Sequence, residues 1–286
     1  MPPPPGISIA PLRTYLTKLP FLTVLISGLC VLLWVVEAVT WLPVGEFLRL
    51  DPRAMRLSQL HRINTYPLVH LGWLHLLLNL VAWIPLSERF EREVGSAKMG
   101  GLVLGPLVTI PAAIYLLVEM GLLGGSTSVS GLSALILTLI TIDAVRTSVH
   151  QPTFILFGKT LSTLFTPIIT LSILFFLFPL SSLLGHLCGV AVGYAYGLKY
   201  LSKLDPPDWI LIKVEGKLSQ WGAMRKLNGW GWVGVEGREE GRYMWLPVVR
   251  PRWSSTGVEA EEGRVGAVGD AQPQSAFQGV GRPLGS

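Results

Sequence analysis

Residues 185–197 read Gly-His-Leu-Cys-Gly-Val-Ala-Val-Gly-Tyr-Ala-Tyr-Gly, so that glycine recurs at every fourth position of an apolar segment. In an α-helix, residues four apart lie on one face, and these glycines therefore form a strip without side chains. Such a strip lets a neighbouring helix approach to backbone distance, which is typical of helix packing inside membranes. His186 lies beside one end of the strip, where close packing would bring its imidazole to a partner on the facing helix. The strip consists of Gly185, Gly189, Gly193 and Gly197.

The composition of the whole chain also indicates a membrane protein. Of its 286 residues, 50% are apolar and only 14% are charged, whereas a soluble domain has about a quarter charged residues. Residues 1–200 hold 12 Lys and Arg and 8 Asp and Glu, while the last 86 residues hold 11 and 10. The net charge of +5 is spread out, with no basic run among aromatic residues, so nucleic-acid binding has no support.

The uneven distribution of charge predicts that the apolar part of the chain and the charged C-terminal part face different solvents, and we expect three regions. Residues 1–19 form a cytosolic segment, 20–201 form the membrane domain, and 202–286 form a largely disordered cytosolic tail. Within this tail, residues 209–224 are compatible with a short amphipathic helix on the membrane surface.

Six apolar stretches fill the membrane domain, each bounded by proline, glycine or polar residues. A bilayer core needs about 20 apolar residues per helix, so the sequence predicts an all-α bundle of six membrane-spanning helices. Lys and Arg concentrate in the loops on the N-terminal side, which places both termini in the cytosol. The first loop, 43–65, breaks this rule with four arginines, and we expect it to lie irregularly at the interface. The predicted spans are 21–42, 66–86, 99–123, 131–145, 161–180 and 183–201.

Three polar side chains interrupt the second predicted span: His70, His75 and Asn79. Because polar groups are costly inside a membrane, each is a candidate functional residue. His75 and Asn79 are four residues apart and share one helix face. The alternative is that they form structural hydrogen bonds between helices.

A serine-rich segment precedes the fourth predicted span, where residues 124–134 read Gly-Gly-Ser-Thr-Ser-Val-Ser-Gly-Leu-Ser-Ala. A glycine before a serine permits a tight turn into a helix, and a small residue after it leaves room for a substrate carbonyl. The N–H groups of that helix end, with the side chains of His75 and Asn79, are suitable donors to an oxyanion. A serine, His186 and these donors together predict nucleophilic catalysis.

These motifs resemble those of the rhomboid family of intramembrane serine proteases. Residues 70–79 match its His-x4-His-x3-Asn pattern, and residues 91–95, with Glu-Arg and then Gly, are similar to its cytosolic turn. Residues 185–193 are similar to its catalytic-histidine helix. The resemblance implies a Ser-His dyad without an acid, a lateral opening for substrate helices, and no metal or cofactor.

The family motif Gly-x-Ser-Gly occurs here in two incomplete frames. Ser130 is followed by Gly131 but lacks the first glycine, whereas Ser133 has Gly131 before it and Ala134 after it. We favour Ser133 as the nucleophile, because the rest of the span then stays in register and its 53-residue separation from His186 suits one intervening span. Ser130 is the alternative.

The chain departs from the family pattern at two further positions, and the resemblance implies a role for each remaining site residue. The aromatic residue that often follows the serine by one turn would be Leu137, and the Trp-Arg of the first loop is missing. His186 would be the general base, and His75 and Asn79 would serve the oxyanion. The residues that would support the site are His70, Gly131, Gly189 and Gly193.

The C-terminal end carries a second resemblance. Residues 277–284, Phe-Gln-Gly-Val-Gly-Arg-Pro-Leu, resemble a box that binds the N-domain of the AAA unfoldase valosin-containing protein. Phe277 and Leu284 would be apolar anchors, while Gly279 and Gly281 keep the backbone free. With the Asp-Pro-Pro that begins at residue 205, the chain resembles the fungal Golgi rhomboids linked to cleavage of sterol-responsive transcription factor precursors.

The function predicted from these features is intramembrane proteolysis of single-span membrane proteins in the secretory pathway, in the Golgi. An alternative is an inactive rhomboid-like adaptor that passes membrane clients to the unfoldase. A small transporter would also explain polar groups in spans, but it needs charged pathway residues. The acidic residues available are Glu37, Glu119 and Asp143.

Overall fold

The computed structural model describes residues 10–125, 127–177 and 181–238, which form a helical bundle. The helices of its first half are α1 (Ala10–Leu16), α2 (Phe21–Thr40), α3 (Val44–Leu48), α4 (Arg62–Thr65), α5 (Trp73–Val94), α6 (Ser96–Leu104) and α7 (Pro106–Gly121). Those of the second half are α8 (Ser133–Ser148), α9 (Thr166–Leu177), α10 (Leu183–Gly197), α11 (Asp208–Gln220) and α12 (Ala223–Gly229). The mainly helical architecture predicted from the sequence is confirmed.

The long apolar helices coincide with the predicted spans. Two are long and apolar enough to cross a bilayer, namely α2 and the Ser96–Gly121 segment that contains α6 and α7. A third qualifies if α5 is combined with the Leu57–Leu68 segment before it, from which it is bent by 75°. The remaining apolar helices are shorter, so the number of six spans stays a prediction.

The second predicted span, 66–86, is shifted along the chain in the structure. Pro67 lies in a short 3-10 turn and Gly72 is fully extended, so α5 begins only at Trp73. The helix then continues through a polar end to Val94. The length of an apolar stretch indicates which residues contact lipid and does not mark where a helix begins or ends, which explains the shift. As a result, His70 lies before α5 and not on it.

The fifth predicted span, 161–180, also begins too early. Residues 161 and 162 belong to a two-stranded antiparallel hairpin of β1 (Thr153–Leu156) and β2 (Lys159–Ser162). Phe157 and Gly158 make its turn, both with positive φ (49° and 77°). The apolar residues of a short strand resemble the start of a helix, and the sequence analysis missed this hairpin.

At the centre of the bundle lies α8, which is buried on all sides from Ala134 to Val145. It packs against α10, α5, α9 and α7. The glycine strip of α10 faces it directly: a Cβ at Gly193 would lie 2.5 Å from Thr141 Cβ and 2.7 Å from the carbonyl oxygen of Thr138. The backbones of α8 and α10 are therefore so close at this position that a side chain larger than that of glycine does not fit.

At the other end of the bundle, Glu91 links the starts of two helices. Its buried carboxylate accepts hydrogen bonds from the backbone N–H groups of Leu22 and Thr23, both at 2.8 Å, and so caps the start of α2. It also accepts one from Ser96 Oγ at 2.6 Å, at the start of α6. Because helix starts carry unpaired N–H groups and partial positive charge, a carboxylate there is stabilising.

Part of the predicted tail, residues 202–238, folds against this end of the bundle. The amphipathic helix predicted over 209–224 is divided into α11 and α12 at Gly222, whose φ is +69°. Val233 pairs with Ser96 through two hydrogen bonds of 2.8 and 2.9 Å, and Lys98 forms an ion pair with Asp205 at 2.9 Å. The predicted unfoldase box lies outside the described residues.

A substitution in the glycine strip tests the packing of α8 on α10. Gly193→Ala would overpack this contact and should lower the free energy of unfolding by about 1–3 kcal/mol. Gly28→Ala is the matched control, because Gly28 is also inside a membrane helix but a Cβ there meets nothing within 4 Å. The control should be neutral or slightly stabilising. Thermal unfolding in detergent measures both, and equal effects of the two substitutions would contradict this packing.

Candidate active site

A serine and a histidine from two different helices meet at the α8–α10 contact. Ser133 is the first residue of α8, and His186 lies in the first turn of α10. The distance from His186 Nε2 to Ser133 Oγ is 2.7 Å, which is within the range of an O–H···N hydrogen bond. His186 is 7% exposed, so the pair is largely shielded from solvent.

The glycine strip explains how α10 reaches this position. A Cβ at Gly189 would lie 3.2 Å from Thr138 Oγ1 and would collide with the carbonyl oxygen of Ala134. Thr138 Oγ1 lies within hydrogen-bonding distance of the Gly189 carbonyl oxygen at 3.0 Å and links the two helices. Since His186 precedes Gly189 by three residues, this contact determines how far its imidazole extends toward α8.

Gly131 makes the turn that leads into Ser133. Its φ is +99°, a conformation that favours glycine. A Cβ at this position would lie 2.8 Å from His75 Cε1 and 3.5 Å from His70 Cδ2. The Gly131 N–H donates to the carbonyl oxygen of Tyr66 at 2.9 Å. The turn is therefore packed directly on the two imidazole rings.

His70 and His75 form an edge-on ring pair beside the turn, with centroids 5.1 Å apart. Just before α8, the backbone N–H of Leu132 donates a hydrogen bond to His70 Nε2 at 3.5 Å. Asn79 Nδ2 donates to the carbonyl oxygen of His75 at 2.7 Å. Asn79 Oδ1 is buried and has no hydrogen-bond partner among the described residues.

Ser130 lies close to the same site but in a different arrangement. It lines the same cavity as Ser133 and His186. Among the hydrogen bonds of the described residues, the one made by His186 Nε2 goes to Ser133, and none joins His186 to Ser130. Of the two serines considered from the sequence, the structure brings Ser133 into contact with the imidazole.

A cavity of about 460 Å³ opens onto the serine and histidine. Its walls are mainly apolar, and they include side chains of both α5 and α9. Because α9 packs mainly on α8 and α10, the cavity is bordered by a side of the bundle where α5 and α9 are not tightly joined. The lining residues on these two helices are His75, Leu78, Asn79, Ala82, Thr170 and Leu174.

A second cavity, of about 340 Å³, lies on the other side of the Ser130 segment. In contrast to the first, charged and polar side chains such as Glu46, Arg49 and His70 make up much of its lining, beside apolar ones such as Trp34. Ser130 lines both cavities. Together with Leu71, Ser130 therefore lies between a mainly apolar space and a more polar one.

Contacts that the sequence analysis did not predict hold the segment before α8 in place. Glu119 Oε1 accepts a hydrogen bond from the Thr127 N–H at 3.0 Å, and the hydroxyl of Tyr115 donates to the Thr127 carbonyl oxygen. Leu50 and Val129 exchange two backbone hydrogen bonds of 2.9 and 3.0 Å. The one available signal was that Glu119 is an acidic residue in an apolar stretch.

The acidic residues considered for a transport pathway lie in separate surroundings. Glu37 accepts a hydrogen bond from the Gly45 N–H at 3.1 Å, whereas Glu119 binds the segment before α8. Asp143 is buried within α8. Among the described residues, no three or more His, Cys, Asp or Glu are grouped so that they could hold a metal ion.

Leu137 occupies the position where the family often has an aromatic residue. It is fully buried and packs with Leu171 of α9 and Val190 of α10. It therefore contributes to the contact among three helices.

Comparison with known proteins assigns the chain to a family. Residues 57–203 match the family model of the rhomboid domain. The chain is 39% identical over 239 residues to rhomboid-type serine protease 2 of Neurospora crassa, covering 82% of this chain and 84% of that protein. It is 36% identical over 245 residues to rhomboid-type serine protease B of Aspergillus fumigatus, covering 86% and 88%.

A more distant relative shows the same pattern. Rhomboid-type serine protease 2 of Saccharomyces cerevisiae is 33% identical over 213 residues, covering 72% of this chain and 79% of that protein. The matched region includes Ser133, His186 and the helices that position them. The chain therefore belongs to the rhomboid family, whose members are multi-pass membrane proteins.

Proposed function

We propose that this chain hydrolyses peptide bonds in or near membrane helices, with Ser133 as nucleophile and His186 as general base. The observation that carries the proposal is the 2.7 Å contact between Ser133 Oγ and His186 Nε2 inside a largely apolar cavity. The serine-protease names of its relatives are consistent with this chemistry.

The bond changes and proton transfers of the proposed reaction involve these two side chains and water. Ser133 Oγ attacks the carbonyl carbon of the scissile bond while His186 Nε2 takes its proton. His186 then gives this proton to the leaving amine, and an acyl-enzyme ester remains on Ser133. Water next attacks the ester and passes a proton to His186, after which the proton returns to Ser133 as the acid product leaves. The polar cavity next to Ser130 is suited to supply this water.

The oxyanion that forms in each step needs hydrogen-bond donors near Ser133. The first N–H groups of α8 have no acceptor within the helix and lie at its positive end. His75 and Asn79 line the same cavity and are the proposed side-chain donors. Asn79 Nδ2 donates one of its two N–H groups to the His75 carbonyl oxygen, which leaves the other for the oxyanion.

The shape of the site supports a membrane-embedded substrate. The apolar cavity borders α5 and α9, and this side of the bundle offers a lateral route for a substrate helix. We therefore propose single-span membrane proteins as substrates, among them sterol-responsive transcription factor precursors. We further propose that the chain resides in the Golgi membrane with both termini in the cytosol.

Substituting the serines tests the assignment of the nucleophile. Ser133→Ala and His186→Ala should each lower cleavage of a model single-span substrate by several orders of magnitude. Ser148→Ala should leave cleavage intact, because Ser148 lies at the far end of α8 and, within the described part of the chain, its hydroxyl bonds only the Val145 carbonyl. Purified proteins in liposomes with gel analysis provide the measurement.

Ser130→Ala distinguishes the two possible nucleophiles in the same assay. Cleavage that survives Ser133→Ala but not Ser130→Ala would transfer the role to Ser130. If the wild-type protein cleaves no membrane substrate yet retains bound clients, the rhomboid-like adaptor replaces the protease.

The proposed oxyanion role of Asn79 predicts a kinetic effect. Asn79→Ala should lower kcat by about 10²–10³ with little change in KM, because such donors act mainly on the transition state. Asn228→Ala, on an exposed residue of α12, is the control and should have no effect. If Asn79→Ala instead lowers thermal stability while kcat per folded molecule is unchanged, Asn79 is purely structural.

We also propose that the C-terminal box recruits an AAA unfoldase of the valosin-containing protein type. Short motifs bind through a few anchors, so replacing both Phe277 and Leu284 with Ala should abolish co-purification of the unfoldase. Cleavage of a model substrate by the purified protein should be unaffected. Gln278→Ala, within the box but not an anchor, is the control. Unchanged co-purification of the double variant would refute the box.

A further inference from the structure

Residues 205–238, here called the cap, fold against one end of the bundle and expose an unusual surface. The cap contains α11 and α12, and Leu211 is its buried contact with the bundle side. The rest of the surface of α11, with Trp221 just after its end, carries large apolar side chains in solvent-accessible positions. Their exposed fractions are Trp209 59%, Ile212 57%, Val214 42% and Trp221 76%.

The apolar side chains of α11 are arranged in a regular pattern with lysines between them. Ile210, Val214, Lys217 and Trp221 are separated by four, three and four residues, so they form one continuous stripe along the helix. Next to it, Lys213 Nζ lies 4.8 Å from the centre of the Trp209 ring. Tryptophan with lysine beside apolar residues is the pattern of helices that lie at a membrane surface.

In the cap, most acidic side chains have a bonding partner in the part of the chain that the structure describes, whereas most basic side chains do not. Its acidic groups mostly have partners: Asp205 binds Lys98, Asp208 binds Arg238, and Glu215 accepts from Trp232 and Val235. By contrast, four exposed basic side chains form no ion pair among the described residues, against one such acidic side chain, Glu236, so the unpaired charge of the cap is mainly positive. They are Lys213, Lys217, Arg225 and Lys226.

Two contacts show that the cap lies at the level where the membrane helices begin. Trp230 stacks on Phe21, the first residue of α2, with ring centroids 6.4 Å apart, and remains 64% exposed. Pro206 packs against Gly101, where an added Cβ would lie 2.7 Å from its ring. Gly101 lies in the Ser96–Gly121 helix that is long enough to cross a bilayer. The positive, apolar surface of the cap is therefore next to the polar boundary of the bilayer.

We propose that the outer face of α11 binds the anionic headgroups of the adjacent membrane leaflet. Its tryptophans and aliphatic side chains would enter the headgroup region, while Lys213 and Lys217 would pair with lipid phosphates. The predicted orientation places the cap at the cytosolic leaflet, which is rich in anionic lipid. This binding would hold the cap against the membrane beside the ends of α2 and α6, independently of any proteolytic activity.

A fluorescent probe on the full-length protein tests this proposal. Gln220 is exposed and lies on the same face as Trp209 and Lys213, so Gln220→Cys carries an environment-sensitive dye. The native Cys30 and Cys188 are buried, and the parent protein measures any background labelling. The protein is placed in nanodiscs of phosphatidylcholine alone or mixed with phosphatidylserine, each with a lipid that bears a nitroxide quencher on its headgroup.

The proposal predicts strong quenching in nanodiscs that contain phosphatidylserine, weaker quenching in neutral ones, and a decrease with added salt. Lys213→Glu/Lys217→Glu should lower the ratio of bound to detached cap by at least roughly 25-fold, since each basic residue near such a surface contributes about fivefold and each introduced carboxylate is also repelled by it. Arg13→Glu/Lys159→Glu, an equal charge change on exposed residues outside the cap, should leave quenching unchanged.

Either of two results would overturn the proposal. Equal quenching in neutral and anionic nanodiscs, insensitive to the lysine substitutions, would show that lipid charge is not recognised. No quenching in either nanodisc would show that this face points away from the bilayer and is free for a soluble partner. Thermal unfolding of each variant checks that the charge reversals leave the fold intact.

Discussion

The contact between α8 and α10 is the constraint on which the rest of the structure depends. Gly189 and Gly193 remove the side chains that would otherwise separate the two helices, and the α10 backbone then lies against Ala134 and Thr138. This closeness allows His186 to reach Ser133 at 2.7 Å. Wider spacing would break the hydrogen bond without changing either residue, so the chemistry depends on packing.

Acidic residues in and beside the apolar helices serve mainly to order the chain. Glu91 caps α2 and binds Ser96 at the start of α6, which in turn pairs with Val233 of the cap. Glu119 holds the segment that leads to Ser133. In a low-dielectric environment an unpaired polar group is costly. A carboxylate that accepts hydrogen bonds from backbone N–H groups provides partners both for its own oxygens and for those N–H groups.

Much of this arrangement could be predicted from the sequence, because it depends on spacing along single helices. The glycine period indicated a close helix contact, and the 53-residue separation of Ser133 and His186 suited helices on either side of one span. The position of His70 could not be predicted in this way. Its backbone is not helical, and the segment before it accepts a hydrogen bond from Gly131, which is distant in sequence.

The hairpin of β1 and β2 and the packing of residues 202–238 were also beyond the sequence analysis. Four-residue strands have too few positions to show a period of two, and their apolar residues merge with the start of α9. The cap is held by scattered polar contacts such as Lys98 with Asp205. Such contacts leave no periodic signal.

The proposed chemistry requires Ser133 to be a nucleophile that His186 activates. The most direct measurement is reaction of the membrane-embedded protein with a fluorophosphonate, followed by mass spectrometry of the modified peptide. We expect phosphonylation of Ser133 in the wild-type protein and its loss in folded His186→Ala, since the serine then lacks its base. Modification at Ser130, or equal modification of Ser133 without His186, would contradict the account.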